Sequence, residues 1–467
     1  MLSLSHMGSI LRSWRPFVLI GAVTVMLIAI SYVAGLSGIW TKVTQPAVAS
    51  VGLKYWVEGG DSATIKTLIT TLVKAGYTPH QAKNADQADV VLSRTQTPGS
   101  VPVLITPTGA PAALTSAAIV TSADKPSYYL TTRTKLPSGK LATLKTGLAT
   151  APANTWTLTA LGDIIIGRTS YLQMQHYGDP NRPFAYFADT IRAADVSLAD
   201  LECTISDAHT IITDGGMTFA SPASSAAGLK TAGLDAVNVA NNHSFNVGPA
   251  GFTDTLDAMK ALNIPTFGGG HNDAEAHSPT IITTHGVKIA LLGYSSIVGS
   301  TPAGENTPGM AHLSMAPWDP FSEAEAARME QDIKAAKQKA DLVMVYYHWG
   351  TEYTHDANAD QRQIAHRAID AGADLILGTH PHWVQGVEWY HDRLITYSLG
   401  NFIFDQEWST QTKQGTFLKA TFNGTHLTSA EFVPYQIEDY YQPRPVDAAT
   451  SNTILNNIYT HSWWPVL

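Results

Sequence analysis

Residues 341–350 read DLVMVYYHWG and residues 373–382 read ADLILGTHPH. Each is an unbroken apolar run of strand length that passes, at its carboxyl end, into histidine. Apolar residues without alternation mark a strand buried on both faces. The same texture recurs outward from these two in TLTALGD (157–163), DAVNVANNH (235–243) and KIALLGYS (288–295). Helical or Ala/Gly-rich stretches precede several of the runs: 224–232, 323–339 and 359–371. Helices alternating with fully apolar strands predict a layered α/β domain. In such sheets ligands sit at the carboxyl ends of the strands, where the polar residues of these runs fall. Further strands are expected over 393–398 and 416–422, followed by an aromatic, Pro-containing tail.

The strand ends carry one chemically compatible set: Asp163, Glu202 (in LADLECT), Asn242 and His243, His348, and His380 with His382. Carboxylate, amide and imidazole together suit a divalent ion such as Mn²⁺, Zn²⁺ or Fe²⁺. A His-x-His directly after a strand brings two imidazoles to one cluster, because the chain turns there and alternation no longer separates them. Any one of these residues alone is more often a turn, a cap or a satisfied histidine; the weight lies in their shared placement.

The elements GDIIIGR (162–168), DLE (200–202), NVANNHSFNVG (238–248), YYHWGTEY (346–353), GTHPHWVQGVE (378–388) and YSLGNFIFDQ (397–406) resemble the capsule-synthesis CapA family. The resemblance covers roughly 156–436. It implies a calcineurin-like metallophosphatase fold, a four-layer sandwich of mixed sheets flanked by helices, and an association with poly-γ-glutamate capsule and its export. Carried over residue by residue, it implies Asp163 as the aspartate of the first motif, Glu202 where a bridging aspartate is usual, and Asn242 as the asparagine ligand. It further implies His243 as the neighbouring proton donor, His348 as the single downstream ligand, and His380 and His382 as the paired histidines. Two departures stand out. The first motif is ordinarily Asp-x-His, whereas here its third position is Ile165, and Glu202 adds a methylene to the bridging acid. One tightly and one weakly held ion is the expectation. The implied chemistry is metal-assisted hydrolysis or transfer at a phosphoryl or acyl centre. The implied partners are an anionic capsule polymer or a phosphoester, together with capsule synthetase and export proteins. Non-catalytic binding of the polymer within an export assembly, and a general extracytoplasmic phosphoesterase, are the rival readings.

The rest of the chain sets the context. Residues 17–36, FVLIGAVTVMLIAISYVAGL, carry no charge, and 20 residues at about 1.5 Å each span about 30 Å of hydrocarbon. Arg12 and Arg15 precede this stretch, so the positive-inside rule predicts a cytoplasmic N-terminus (1–16), a single-pass anchor (17–38) and an extracytoplasmic remainder. Residues 41–148 read as a small α/β accessory module, with strands near 53–57, 89–92, 101–105 and 128–131 and a helix over 61–76. Residues 149–155 read as a linker, 156–440 as the main domain and 441–467 as a C-terminal tail. With 29 Lys+Arg against 38 Asp+Glu and no basic run, nucleic acid is not an expected partner. Cys203, the one cysteine, excludes an internal disulfide and a zinc–thiolate site, and is expected as a small buried residue. Arg168, five residues after Asp163, is a candidate fork for an anionic substrate, with a structural ion pair as its alternative. Asp405 and Gln406 are candidate contacts to the ligands or substrate. His271 and His355 are loop residues of either pocket or surface.

Overall fold

In the computed structural model, the strands of the two large sheets of the main domain are Thr155–Ile164 (β1), Val196–Leu201 (β2), Ala236–Asn238 (β3), Thr266–Phe267 (β4), Thr280–Thr284 (β5), Val287–Ser295 (β6), Leu342–His348 (β7), Leu375–Thr379 (β8), Val387–Tyr390 (β9), Arg393–Thr396 (β10), Asn401–Ile403 (β11), Gln414–Asn423 (β12), His426–Glu438 (β13) and Gln442–Pro445 (β14). They form two mixed sheets. The first runs β4-β3-β2-β1-β12-β13-β14, with β11 joined to the end of β1; the second runs β5-β6-β7-β8-β10-β9. The central pairs, β1 to β4 in one sheet and β6, β7, β8 and β10 in the other, are parallel.

Alternation explains why these strands carry no polar face. Along β7, Leu342, Met344 and Tyr346 point into the space between the sheets, where they meet Leu158, Leu198 and Leu418 of the other sheet. Val343, Val345 and Tyr347 point the opposite way, onto a second apolar layer. That layer is supplied by Glu323–Lys337 (α1) and Ala359–Ala371 (α2) through Met329, Ile333, Ile364 and Ala368. Outside the first sheet, Ala188–Arg192, Ala227–Ala232 and Gly248–Ala261 do the same with Ile191, Leu229, Phe252 and Met259. The order of layers is therefore helix, sheet, sheet, helix, a four-layer sandwich. Both sides of each sheet exclude water, and the continuous apolar runs follow from that.

Local signals fix the helix ends. Ser322 caps α1 by accepting from the Glu325 amide. Asn358 and Gln361 form a capping box on α2, which stops at Gly372 in left-handed backbone (φ 117°). Residues 441–467 were expected as a tail, but β14 lies there. So does the helix Ala448–Thr460, capped by Asp447, with Ile454, Leu455 and Ile458 in the inter-sheet core.

The structure describes residues 154–208 and 216–463, plus the strands 51–57, 77–81, 90–93, 103–104, 115–118 and 129–132. Apart from Val51, these belong to one unit, Gly52–Leu467. Five of the N-terminal strands form a mixed sheet of their own, while Val103–Leu104 pairs with β13 at Ala430 and Glu431. The expected anchor over 17–38 and the expected helix over 61–76 lie outside the described residues. Among the described residues no helix is long and apolar enough to cross a membrane.

Candidate metal centre

The geometry of the site follows from the strands. Val196 and Leu198 of β2 face the other sheet, so Asp200 and Glu202, each two residues further on, face the same way. On β7, His348 continues the inward series 342, 344, 346. On β1, Leu158 and Ala160 face inward, which by plain alternation would turn Asp163 outward. An irregularity between Ala160 and Asp163 shifts the register and sets Asp163 opposite Asp200. After β8 the backbone enters the left-handed region at both His380 (φ 92°) and His382 (φ 59°), conformations that cost a non-glycine residue free energy. The His380 amide then donates to both oxygens of Asp163 at 3.3 Å.

Asp163, Asp200, Glu202 and His348, all buried, offer ligand atoms within 4.8 Å of one another, and Glu352, His380 and His382 form an adjoining group on the same criterion. Asp163 lies between the two, with Oδ1 3.8 Å from His348 Nδ1 and Oδ2 3.5 Å from His382 Nδ1. Asn242 Oδ1 reaches His348 Nε2 at 2.8 Å. His348 Nδ1 is 3.1 Å from Asp200 Oδ2. Every expected ligand is thus brought to one place. Asp200 and Glu352 join them without having been singled out from sequence. For Asp200 the signal was available: in a strand, DLE puts both acids on one face.

Buried polar atoms ordinarily have partners. Here both oxygens of Glu202, Oδ2 of Asp200 and both ring nitrogens of His380 make no hydrogen bond to any described residue. Such a set fits divalent cations, which would take up the carboxylate oxygens and one nitrogen of His380. The protonation states agree. Burial holds His348 and His243 down at about 3 and His380 well below the imidazole range, so the rings are neutral and keep a lone pair. Burial lifts Asp200 to about 8. Burial, reinforced by the Asp163 and Asp200 charges, lifts Glu202 well above the carboxyl range. Without a cation these carboxyls hold protons that an ion would displace.

Supporting contacts orient the rings. His382 Nδ1 lies 2.8 Å from Asn401 Oδ1, and Asn401 Nδ2 in turn donates to Gln406 Oε1 and the Thr412 carbonyl. An amide oxygen only accepts, so Nδ1 carries the proton and Nε2 is left as the ligand atom. His243 is held in the same manner by Asn246 Oδ1 (2.8 Å), which also accepts from the Phe219 amide (2.7 Å). Its Nε2 faces Glu202 Oε1 at 3.7 Å. The Phe219 ring stacks on His243 with centroids 3.6 Å apart, and the Arg168 guanidinium lies 4.7 Å from the Phe219 centroid.

Arg168 itself forks onto Asp405, from Nη2 at 2.9 Å and Nε at 3.2 Å, and donates to the Gly216 carbonyl. The structural ion pair is the arrangement present. Gln406 Oε1 accepts from Asn401, and His355 Nδ1 donates to the Val384 carbonyl at 2.7 Å. His271 lies in a surface cleft with Lys260 and Glu275. Cys203 is fully buried, which pushes its thiol up to about 12. Ile165 is buried in the apolar layer outside the first sheet and gives the site nothing.

Comparison with known proteins adds four observations. Residues 157–406 match the family described as Bacterial capsule synthesis protein PGA_cap. The chain is 31% identical over 313 residues to the Capsule biosynthesis protein CapA of Bacillus anthracis, covering 65% of this chain and 72% of that protein. It is 31% identical over 303 residues to the PGA biosynthesis protein CapA of Bacillus subtilis, covering 64% and 76% respectively. A probable polyglutamine synthesis accessory protein of Mycobacterium tuberculosis is 28% identical over 174 residues, 36% of this chain and 45% of that one.

Proposed function

The chain belongs to the bacterial capsule synthesis protein PGA_cap family, and from that premise we propose that it acts in poly-γ-glutamate capsule synthesis or export as a metal-dependent hydrolase or transferase. The observation that carries this reading is the buried group Asp163, Asp200, Glu202 and His348, four ligand-type side chains within 4.8 Å at the carboxyl ends of strands. Asp163, Asp200, Glu202, Asn242 and His348 would hold one ion, and His380 and His382, with Asp163 shared, a second. Bound ions of this kind polarise a phosphoryl or acyl oxygen and lower the pKa of water.

The chain's own residues supply proton transfer and orientation. His243 carries its proton on Nδ1, fixed by Asn246, so Nε2 takes up a proton at the reacting centre and returns it to the leaving group. Phe219, sandwiched between His243 and Arg168, keeps the ring from rotating. Because the Arg168 fork is committed to Asp405, the carboxylates of an anionic polymer would be met chiefly by the ions. The anchor over residues 17–38 would hold the domain on the extracytoplasmic face, within reach of the capsule synthetase and export proteins.

The test combines metal analysis of the purified full chain with phosphodiester and γ-glutamyl cleavage assays and capsule complementation, for wild type and His243→Ala. The expected outcome is retained metal, turnover lower by roughly 10²- to 10⁴-fold, and lost capsule output. Retained metal with unchanged output would favour a polymer-binding role without catalysis. Topology is tested separately: protease added to intact spheroplasts should digest nearly the whole chain, and full protection would overturn the extracytoplasmic placement.

A further inference from the structure

We infer that Glu352 is a metal ligand, completing with His380 and His382 a solvent-facing site whose ion exchanges independently of the buried one. This rests on the metal-centre reading above and deepens it. The family pattern would draw a ligand from the third position of the first motif, but Ile165 is sealed in an apolar layer. The paired histidines therefore need a donor from elsewhere, and the structure places a carboxylate beside them.

Glu352 Oε1 lies 3.8 Å from His382 Nε2. Because Asn401 fixes the His382 proton on Nδ1, this is a lone pair facing a carboxylate oxygen, with no proton between them. That separation is too long for a hydrogen bond, yet it is within the roughly 4 Å that two ligands at about 2.1 Å each can span around one ion. His380 supplies the independent observation. The residue is 1% exposed and neither ring nitrogen makes a hydrogen bond to any described residue, although it stands in one group with Glu352 and His382.

The position of Glu352 is built in. The next residue, Tyr353, donates its amide to the carbonyl of Pro381 at 2.9 Å, the residue between the two histidines. The Tyr353 ring stacks on His382 with centroids 5.8 Å apart. Trp349, at the start of the same loop, donates its amide to the Thr379 carbonyl. The loop is thus registered against the histidine segment by backbone bonds on either side of Glu352. Its side chain is 31% exposed, whereas Asp163, Glu202 and His348 are fully buried. Two imidazoles and one carboxylate leave coordination positions open toward solvent, where substrate oxygen can enter.

Co²⁺ serves as the probe, because its visible absorption reports ligand number. The chelated full chain is titrated for wild type, Glu352→Gln, Glu352→Asp and His380→Ala, with circular dichroism confirming the fold of each. Wild type is expected to take up two ions of unequal affinity. Glu352→Gln should weaken the looser ion by more than about 10-fold and alter its spectrum. The tighter ion should be unchanged, and Glu352→Asp should fall between. Two ions bound by Glu352→Gln as in wild type, with His380→Ala losing one, would overturn the role of Glu352 alone. A folded wild type that takes up no Co²⁺ would overturn the metal centre itself.

Discussion

His380 and His382 carry more of the site than their number suggests, because the backbone accepts left-handed conformations at both to present them. Such conformations cost on the order of 1 kcal/mol or more each for a non-glycine residue, a strain repaid when the rings are used. Removing either ring leaves one imidazole beside Asp163 and an open position. For the His380→Ala/His382→Ala double variant we expect loss of stoichiometric metal with the fold intact. Full metal content in that folded variant, by elemental analysis, would mean that the ligand set is wrong. Asn401→Ala is the subtler change: it frees the His382 Nδ1 proton without touching a ligand and should weaken one ion by about 10- to 100-fold. At this scale the sequence was informative where a residue ends an apolar run, as His348 and Asp163 do. It was silent on Glu352, whose place depends on a contact between the Tyr353 amide and the Pro381 carbonyl that no local pattern encodes. Asp200 was overlooked although the two-residue period of β2 implies it.

Elements, more than residues, decide how closely the ligands approach. A Cβ built on Gly162 would lie 1.8 Å from the carbonyl oxygen of Gly400, so the bare backbone of β1 is what lets the segment entering β11 cross it. That crossing is held by the Asp163 amide donating to Gly400 at 3.2 Å, and it sets Asn401 beside the strand end that carries Asp163. Gly162→Ala must push these segments apart, and we expect a loss of about 3 kcal/mol or more, at the upper end for overpacking. Gly178→Ala is the comparison. Nothing lies within 4 Å of its Cβ and only its left-handed backbone (φ 63°) is strained, at a cost of about 1–2 kcal/mol. Urea denaturation of both variants checks the order, and equal midpoints would show that β1 and β11 are not in forced contact. The helices over 323–337 and 359–371 were legible because caps and apolar spacing agree. Ala448–Thr460 was not, since the aromatic and proline residues around it read as tail while its own signals, Asp447 and the apolar positions 454, 455 and 458, were short.

For the whole molecule, the site is a cluster of buried ionisable groups that couples folding to pH. Unfolded carboxyls titrate near about 4 and imidazoles near about 6.5. Without an ion, burial raises Asp200 to about 8 and Glu202 well above its ordinary range. The folded chain then binds more protons on these groups than the unfolded chain does, so their contribution to stability falls as pH rises above about 4. His348 and His243, lowered to about 3 by burial, act in the opposite sense: their contribution rises with pH up to about 6.5 and is flat beyond it. The two effects offset each other in mild acid, and above about 6.5 the carboxyls act alone. Each group contributes about 1.4 kcal/mol per pH unit, so the chelated protein should lose on the order of 2 kcal/mol between pH 6.5 and 8 from Asp200 alone. Saturating Mn²⁺ displaces those protons beforehand, so the metal-loaded protein should not show this loss, and the stabilisation conferred by the ion should grow across the same interval. Urea midpoints at pH 6.5 and 8, with chelator and with Mn²⁺, measure the difference, in which the titration of surface groups cancels. Parallel slopes in the two conditions would mean that the buried carboxyls release no protons to the ion, and that the chemistry assigned to this site belongs elsewhere.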